Sequence, residues 1–137
     1  MRSLAILAAF LAASGSVAAS AADVTVRVEG LRSAEGAVRV AICPEDRFTR
    51  ADCPYAGAAP AAAPVVTVTG VPDGVYAVQA FHDEDDDGRL GRRGLRPSEG
   101  LAFSNDAPMR MGPPRFSDAA VRVRGDGMLT LTMRYFR

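Results

Sequence analysis

Val65-Val66-Thr67-Val68-Thr69, Val71-Pro72-Asp73-Gly74 and Val75-Tyr76-Ala77-Val78-Gln79-Ala80-Phe81 read as strand, turn and strand. In the flanking runs β-branched and aromatic residues alternate with polar or small ones, so each strand buries one face and leaves the other wet. Proline comes early in the turn and glycine late, the order a tight turn requires. The two runs are expected to form a hairpin that fixes the register of whatever follows Phe81.

Upstream the pattern repeats. Val24-Thr25-Val26-Arg27-Val28-Glu29 alternates up to Gly30, and Ala37-Val38-Arg39-Val40-Ala41-Ile42 alternates again beyond the turn Leu31 to Gly36, which predicts an antiparallel hairpin. Downstream, Ala119 to Arg124 and Met128 to Tyr135, joined by Gly125-Asp126-Gly127, predict another. Pro44 to Pro64 includes an Ala/Pro/Gly-rich tract from Ala56 to Pro64 that has no period and too many prolines for a central element, so it reads as a surface excursion. Arg92 to Phe116 is long and rich in Gly and Pro, with one short strand near Leu101-Ala102-Phe103; such a loop is functional or ordered by something bound. Strands with no sustained helical period predict an all-β class, a sandwich of about seven antiparallel strands.

The chain has 137 residues, enough for one domain and its core. Met1 to Ala22 reads as a secretory signal: Arg2 supplies the positive end, Leu4 to Ala13 the apolar stretch, and Ser14 to Ala22 the small residues before a cut after Ala21 or Ala22. Residues 23–137 are then one domain, periplasmic or secreted, with no transmembrane segment in the mature chain. Sixteen arginines, with no lysine, balance sixteen acids, which argues against nucleic acid or a polybasic membrane role as the main business of the chain. Cys43 and Cys53 are expected to join in the oxidising compartment that export implies, closing a short loop. With a single histidine and no further cysteine, a zinc set has nothing to complete it.

After Phe81 comes His82-Asp83-Glu84-Asp85-Asp86-Asp87-Gly88-Arg89, five consecutive carboxylates closed by a glycine. Asp83, Asp85 and Asp87 fall at the first, third and fifth positions of a calcium-loop pattern, Gly88 at its sharp turn and the Arg89 backbone carbonyl at its seventh. The twelfth position is Gly94, not a glutamate, so a Ca2+ ion here needs a late ligand such as Glu99, Asp106 or Asp118. Two other fates stay open: pairing with Arg89, Arg92, Arg93 and Arg96 just downstream, or plain solvation. Glu84 and Asp86 are expected to face away.

His82 invites two further readings. With Met109 and Met111 it makes a soft-metal set of the kind that takes copper. With Ser104 and Asp106 it makes a sketch of a hydrolase, but no convincing catalytic constellation, so an enzyme is not expected. The leading expectation is an exported interaction module, whose loop end would meet an envelope protein, a peptide or a glycan.

Three stretches carry a resemblance: Gly30 to Ala41; Val71 to Val78 running into Phe81-His82-Asp83-Glu84; and Glu99 to Asp106 with Gly112 to Ala119. In these the chain resembles the exported bacterial family known as domain of unknown function 2141. The resemblance implies an Ig-like or transthyretin-like sandwich, similar also to carboxypeptidase-regulatory-like modules, and little about activity. Where that family typically has an acid after the basic residue and leucine, this chain has Gly91.

Overall fold

The computed structural model describes residues 13–16 and 20–137, so most of the expected signal lies outside the described residues. In chain order the strands are β1 (Ala21–Glu29), β2 (Ala37–Cys43), β3 (Tyr55–Pro60), β4 (Val65–Pro72), β5 (Gly74–Asp83), β6 (Arg92–Arg93), β7 (Arg96–Pro97), β8 (Leu101–Phe103), β9 (Ala120–Val123) and β10 (Gly127–Thr132), with a short helix α1 (Phe116–Ala119) before β9. The fold is an all-β sandwich. One sheet has the order β10-β1-β4, and the other has β3-β2-β5-β8 with β9 also on β5.

Alternation builds the core as the sequence indicates. Val24, Val26, Val28, Val66, Val68 and Leu131 from the first sheet meet Val38, Val40, Ile42, Tyr76 and Val78 from the second, all buried. The expected pairings, by contrast, are not those of the structure. β1 pairs with β4 and, in parallel, with β10; β2 pairs with β3 and β5; β9 pairs with β5. None of the three expected hairpins forms, because each of those turns carries the chain from one sheet to the other. A half-buried strand satisfies its apolar face equally well across the sandwich, and alternation does not reveal which neighbour takes its backbone hydrogen bonds.

The Ala56 to Pro64 tract is also more ordered than expected. Its first part lies in β3, paired with β2 from Ile42↔Tyr55 to Ala37↔Pro60. β3 ends the order of its sheet, and Pro60 is its last residue, where a missing N–H is tolerated. The short strand expected near Leu101 is present as β8.

The Cys43–Cys53 disulfide forms, with Cα atoms 5.1 Å apart, and closes the loop that carries Phe48. Phe48 packs edge-on against Phe103 and Phe116, at 5.9 and 6.0 Å between ring centroids. These rings, with Ala77, Ala107 and Ala119, form a second apolar cluster. Successive residues of β5 face opposite ways, so Ala77 places this cluster on the outer side of the sheet whose inner side carries Val78.

On that outer side β8 and β9 share one edge of β5 in succession. β8 stops with Phe103 opposite Gln79 and β9 starts with Ala120 opposite Ala77. Val78 falls in the gap, and the buried Ser104 hydroxyl fills it, accepting from the Val78 N–H at 2.9 Å and donating to the Ala119 carbonyl at 2.5 Å. The sandwich is further joined at Leu101 and Arg134, which exchange two backbone hydrogen bonds of 2.9 and 2.8 Å.

Candidate functional site

β5 ends at Asp83, and the carboxylates begin there. Asp83 is fully buried and satisfied from three directions. Its Oδ2 accepts from Arg39 Nε at 2.5 Å and from the Gly88 N–H at 2.9 Å, while Oδ1 accepts from the Asp87 N–H at 3.1 Å. Burial works against its ionisation, but Arg39 and the Gly88 amide outweigh burial and hold the carboxyl below the usual aspartate range. Asp83 thus folds the loop back onto its own start.

Two glycines make this possible. Gly88 has φ +78°, a conformation that costs an L side chain strain. Gly36, at φ +69°, lies so close to the Asp83 carbonyl that a Cβ there would come within 2.0 Å of it. No other residue fits at Gly36 without moving the end of β5.

Counter-charges reach the loop from upstream, not from the downstream arginines. Arg39 also donates to Asp86 at 3.1 Å, and Arg32 holds Glu84 through Nε at 2.9 Å and through Nη2. That grip, together with Ser33 Oγ on the other carboxylate oxygen, keeps Glu84 below the usual glutamate range. Glu84 and Asp86 are thereby engaged by arginines. Arg89, Arg92, Arg93 and Arg96 make no ion pair among the described residues. Arg89 touches the loop through its backbone, donating its N–H to Asp87 Oδ1 at 2.8 Å.

Asp83, Asp85 and Asp87 converge, each offering a carboxylate oxygen within 4.8 Å of the others. Asp85 and Asp87 are exposed. Desolvation, with a hydrogen bond shared with Asp83 and the neighbouring charges of Asp87 and Glu99, pushes the Asp85 carboxyl above the usual range. Of the three late ligands suggested by sequence, Glu99 alone stands beside the loop. It is buried, and its two oxygens accept from the backbone N–H groups of Glu84 (3.1 Å) and Gly91 (2.8 Å), clasping the two ends of the acidic turn. Asp106 lies elsewhere, on Arg134, and Asp118 on Arg115.

Both ring nitrogens of His82 are engaged in hydrogen bonds inside the fold. Its Nε2 lies 2.8 Å from the Glu35 carbonyl, a pure acceptor, so Nε2 carries a proton. Nδ1 lies 2.8 Å from the Tyr135 hydroxyl, which also accepts from the Arg32 N–H at 3.0 Å. The ring is buried on the inner side of its sheet, whereas Met109 packs in the outer cluster and Met111 is wholly exposed. The structure therefore does not bring the copper set together. Nor does it assemble the hydrolase sketch, since Ser104 is occupied as the bridge between β8 and β9 and Asp106 by Arg134. Arg39, Arg32 and Tyr135 had not been singled out from the sequence; the trace of Arg39 was a lone charge on the wet face of an otherwise apolar strand.

The chain belongs to the family described as uncharacterised protein conserved in bacteria (DUF2141), whose model matches residues 26–130. No curated protein and no solved structure matches it.

Proposed function

We propose that the chain is an exported binding module of the bacterial cell envelope, and that Asp83, Asp85 and Asp87 hold a calcium ion that stiffens its recognition surface. One observation carries the calcium reading: the three carboxylates converge within 4.8 Å on a loop already folded by the Asp87 and Gly88 N–H groups donating to the Asp83 carboxylate. Hard oxygen donors at alternate positions suit calcium, and the exposed Asp85 and Asp87 leave room for water and for a ligand oxygen from a partner. Arg39 offsets part of the charge of Asp83 and Asp86, while Asp85 and Asp87 have no arginine partner among the described residues. The Cys43–Cys53 disulfide supports export, since such bridges persist in oxidising compartments. No helix among the described residues is long and apolar enough to cross a membrane.

A thermal melt in chelator, then with graded calcium or magnesium, tests the reading. Calcium should raise the midpoint with concentration, as any ligand of the native state does. Asp85→Asn with Asp87→Asn should abolish the shift, and Asp86→Asn should keep it. A flat response of the unaltered protein removes the calcium site.

A further inference from the structure

We infer that the β6–β7 hairpin is a docking element for an anionic phospholipid surface, with its arginines on headgroup phosphates and Leu95 entering the acyl boundary. This inference names a partner for the recognition surface and rests on that surface being a binding site, not on the calcium ion. The hairpin is two residue pairs long, Arg92↔Pro97 and Arg93↔Arg96, with Gly94 and Leu95 at its tip. Leu95 is 96% exposed, an apolar side chain held out between guanidiniums.

Local charge sets the class of partner, in a chain whose zero net charge argues against a membrane role spread over its whole surface. Arg92, Arg93 and Arg96 make no ion pair among the described residues, a state they share with other surface arginines such as Arg122 and Arg124; what sets them apart is that three of them stand in five residues around an exposed leucine. Arg93 and Arg96 line a groove with Arg137, Pro97 and Phe136. Arg96 is steadied there by donating to the Arg137 carbonyl. Arg32, which also lines the groove, lies 4.6 Å over the Tyr135 ring and pairs with Glu84. The base is pinned by the Ser98 N–H on the Gly91 carbonyl at 2.9 Å and by Glu99 on the Gly91 N–H at 2.8 Å. The guanidiniums of Arg92 and Arg93, which have no partner among the described residues, call for phosphate oxygens, and a leucine projecting beside them favours a surface with an apolar interior over a soluble polyanion.

The test is partition of the full chain onto vesicles of 30% phosphatidylglycerol in phosphatidylcholine against phosphatidylcholine alone. Residues outside the hairpin are the same in every hairpin variant, so differences report the hairpin. The unaltered chain should prefer the anionic vesicles. Near such a surface each free guanidinium is worth about fivefold in affinity, so Arg92→Gln with Arg93→Gln should lose about 25-fold. Leu95→Ser should lose up to about tenfold while keeping its salt dependence. Arg122→Gln with Arg124→Gln, an equal loss of charge on β9 and the residue after it, should bind as the unaltered chain does. Equal binding to neutral vesicles, an equal loss in the β9 variant, or full competition by millimolar inorganic phosphate would each overturn the inference, the last by pointing to a small-anion pocket. A calcium-dependent melt that persists alongside absent vesicle binding would remove the lipid partner and leave the calcium reading standing.

Discussion

Arg39 donates its Nε to Asp83 Oδ2 at 2.5 Å, tying the middle of β2 to the last residue of β5. Asp83 is fully buried, whereas the Arg39 side chain is 35% exposed. Removing one partner of a fully buried pair costs about 3 to 5 kcal/mol, and the solvent reaching Arg39 reduces that to about 2 to 3 kcal/mol. Arg39→Met, which keeps the aliphatic stem, should lower unfolding stability by that amount in urea titrations. Adding Asp83→Asn should recover little of the loss, since the amide removes the stranded charge but its NH2 group cannot accept from the second of the Asp87 and Gly88 N–H groups.

The pH dependence should have two opposed limbs. Asp83 and Glu84 titrate below their usual ranges, so their contribution is fully present above the unfolded carboxylate values and is lost as pH falls through the folded ones. Asp85 titrates above its usual range, so its charge is a small penalty at neutral pH that is relieved as pH falls through the raised value. Melting in chelator should show a slight rise in mild acid before the acid loss. Asp85→Asn should erase the rise and keep the loss, and Arg39→Met should shrink the loss.

Strand positions were legible because alternation is a local property, while strand partners were not. Val24 to Glu29 and Ala37 to Ile42 each declare a buried face, but which sheet receives them depends on β10, a hundred residues downstream of β1, and on β5. β3 was hidden because Tyr55-Ala56-Gly57-Ala58-Ala59-Pro60 has no β-branched residue; its pairing with β2 makes it a strand. The acidic loop was conspicuous as a run of carboxylates, yet its arginines lie 44 and 52 residues upstream and no local spacing indicates them. Glu99 was legible as an acid available to the loop, but its role as a backbone clasp was not.

Ser104→Ala tests the bridge at Val78. The variant leaves the Val78 N–H and the Ala119 carbonyl without that hydroxyl inside the fold, a desolvation penalty of about 1 to 3 kcal/mol. Hydrogen exchange should speed up at Val78 and at the start of β9, and calcium-dependent melting should be unchanged. A loss confined to calcium response would contradict this assignment.

Cleaving the disulfide should act locally. Its ten-residue separation gives a loop-entropy stabilisation of about 2 to 3 kcal/mol. Replacing Cys43 and Cys53 together by serine should lower the midpoint accordingly and free Phe48 from Phe103 and Phe116, visible as faster ring flipping of Phe116. The amides of the acidic loop, anchored by Arg39 and Glu99, should keep their protection.

Glu99→Gln discriminates a clasp from a mere nearby charge. The amide retains one carbonyl oxygen, so it can hold the N–H of Glu84 or that of Gly91, but its NH2 group cannot accept from the other. Losing one such bond in a buried place should cost about 1 to 3 kcal/mol, and the unpinned end of the turn should exchange its amide hydrogen faster. If Glu99 instead acted only through charge, both amides would keep their protection and calcium affinity alone would fall. The expected result is the reverse order of magnitude: a clear stability loss with one exposed amide, and a weaker calcium response that follows from the loosened loop, recovered in part when saturating calcium re-forms it.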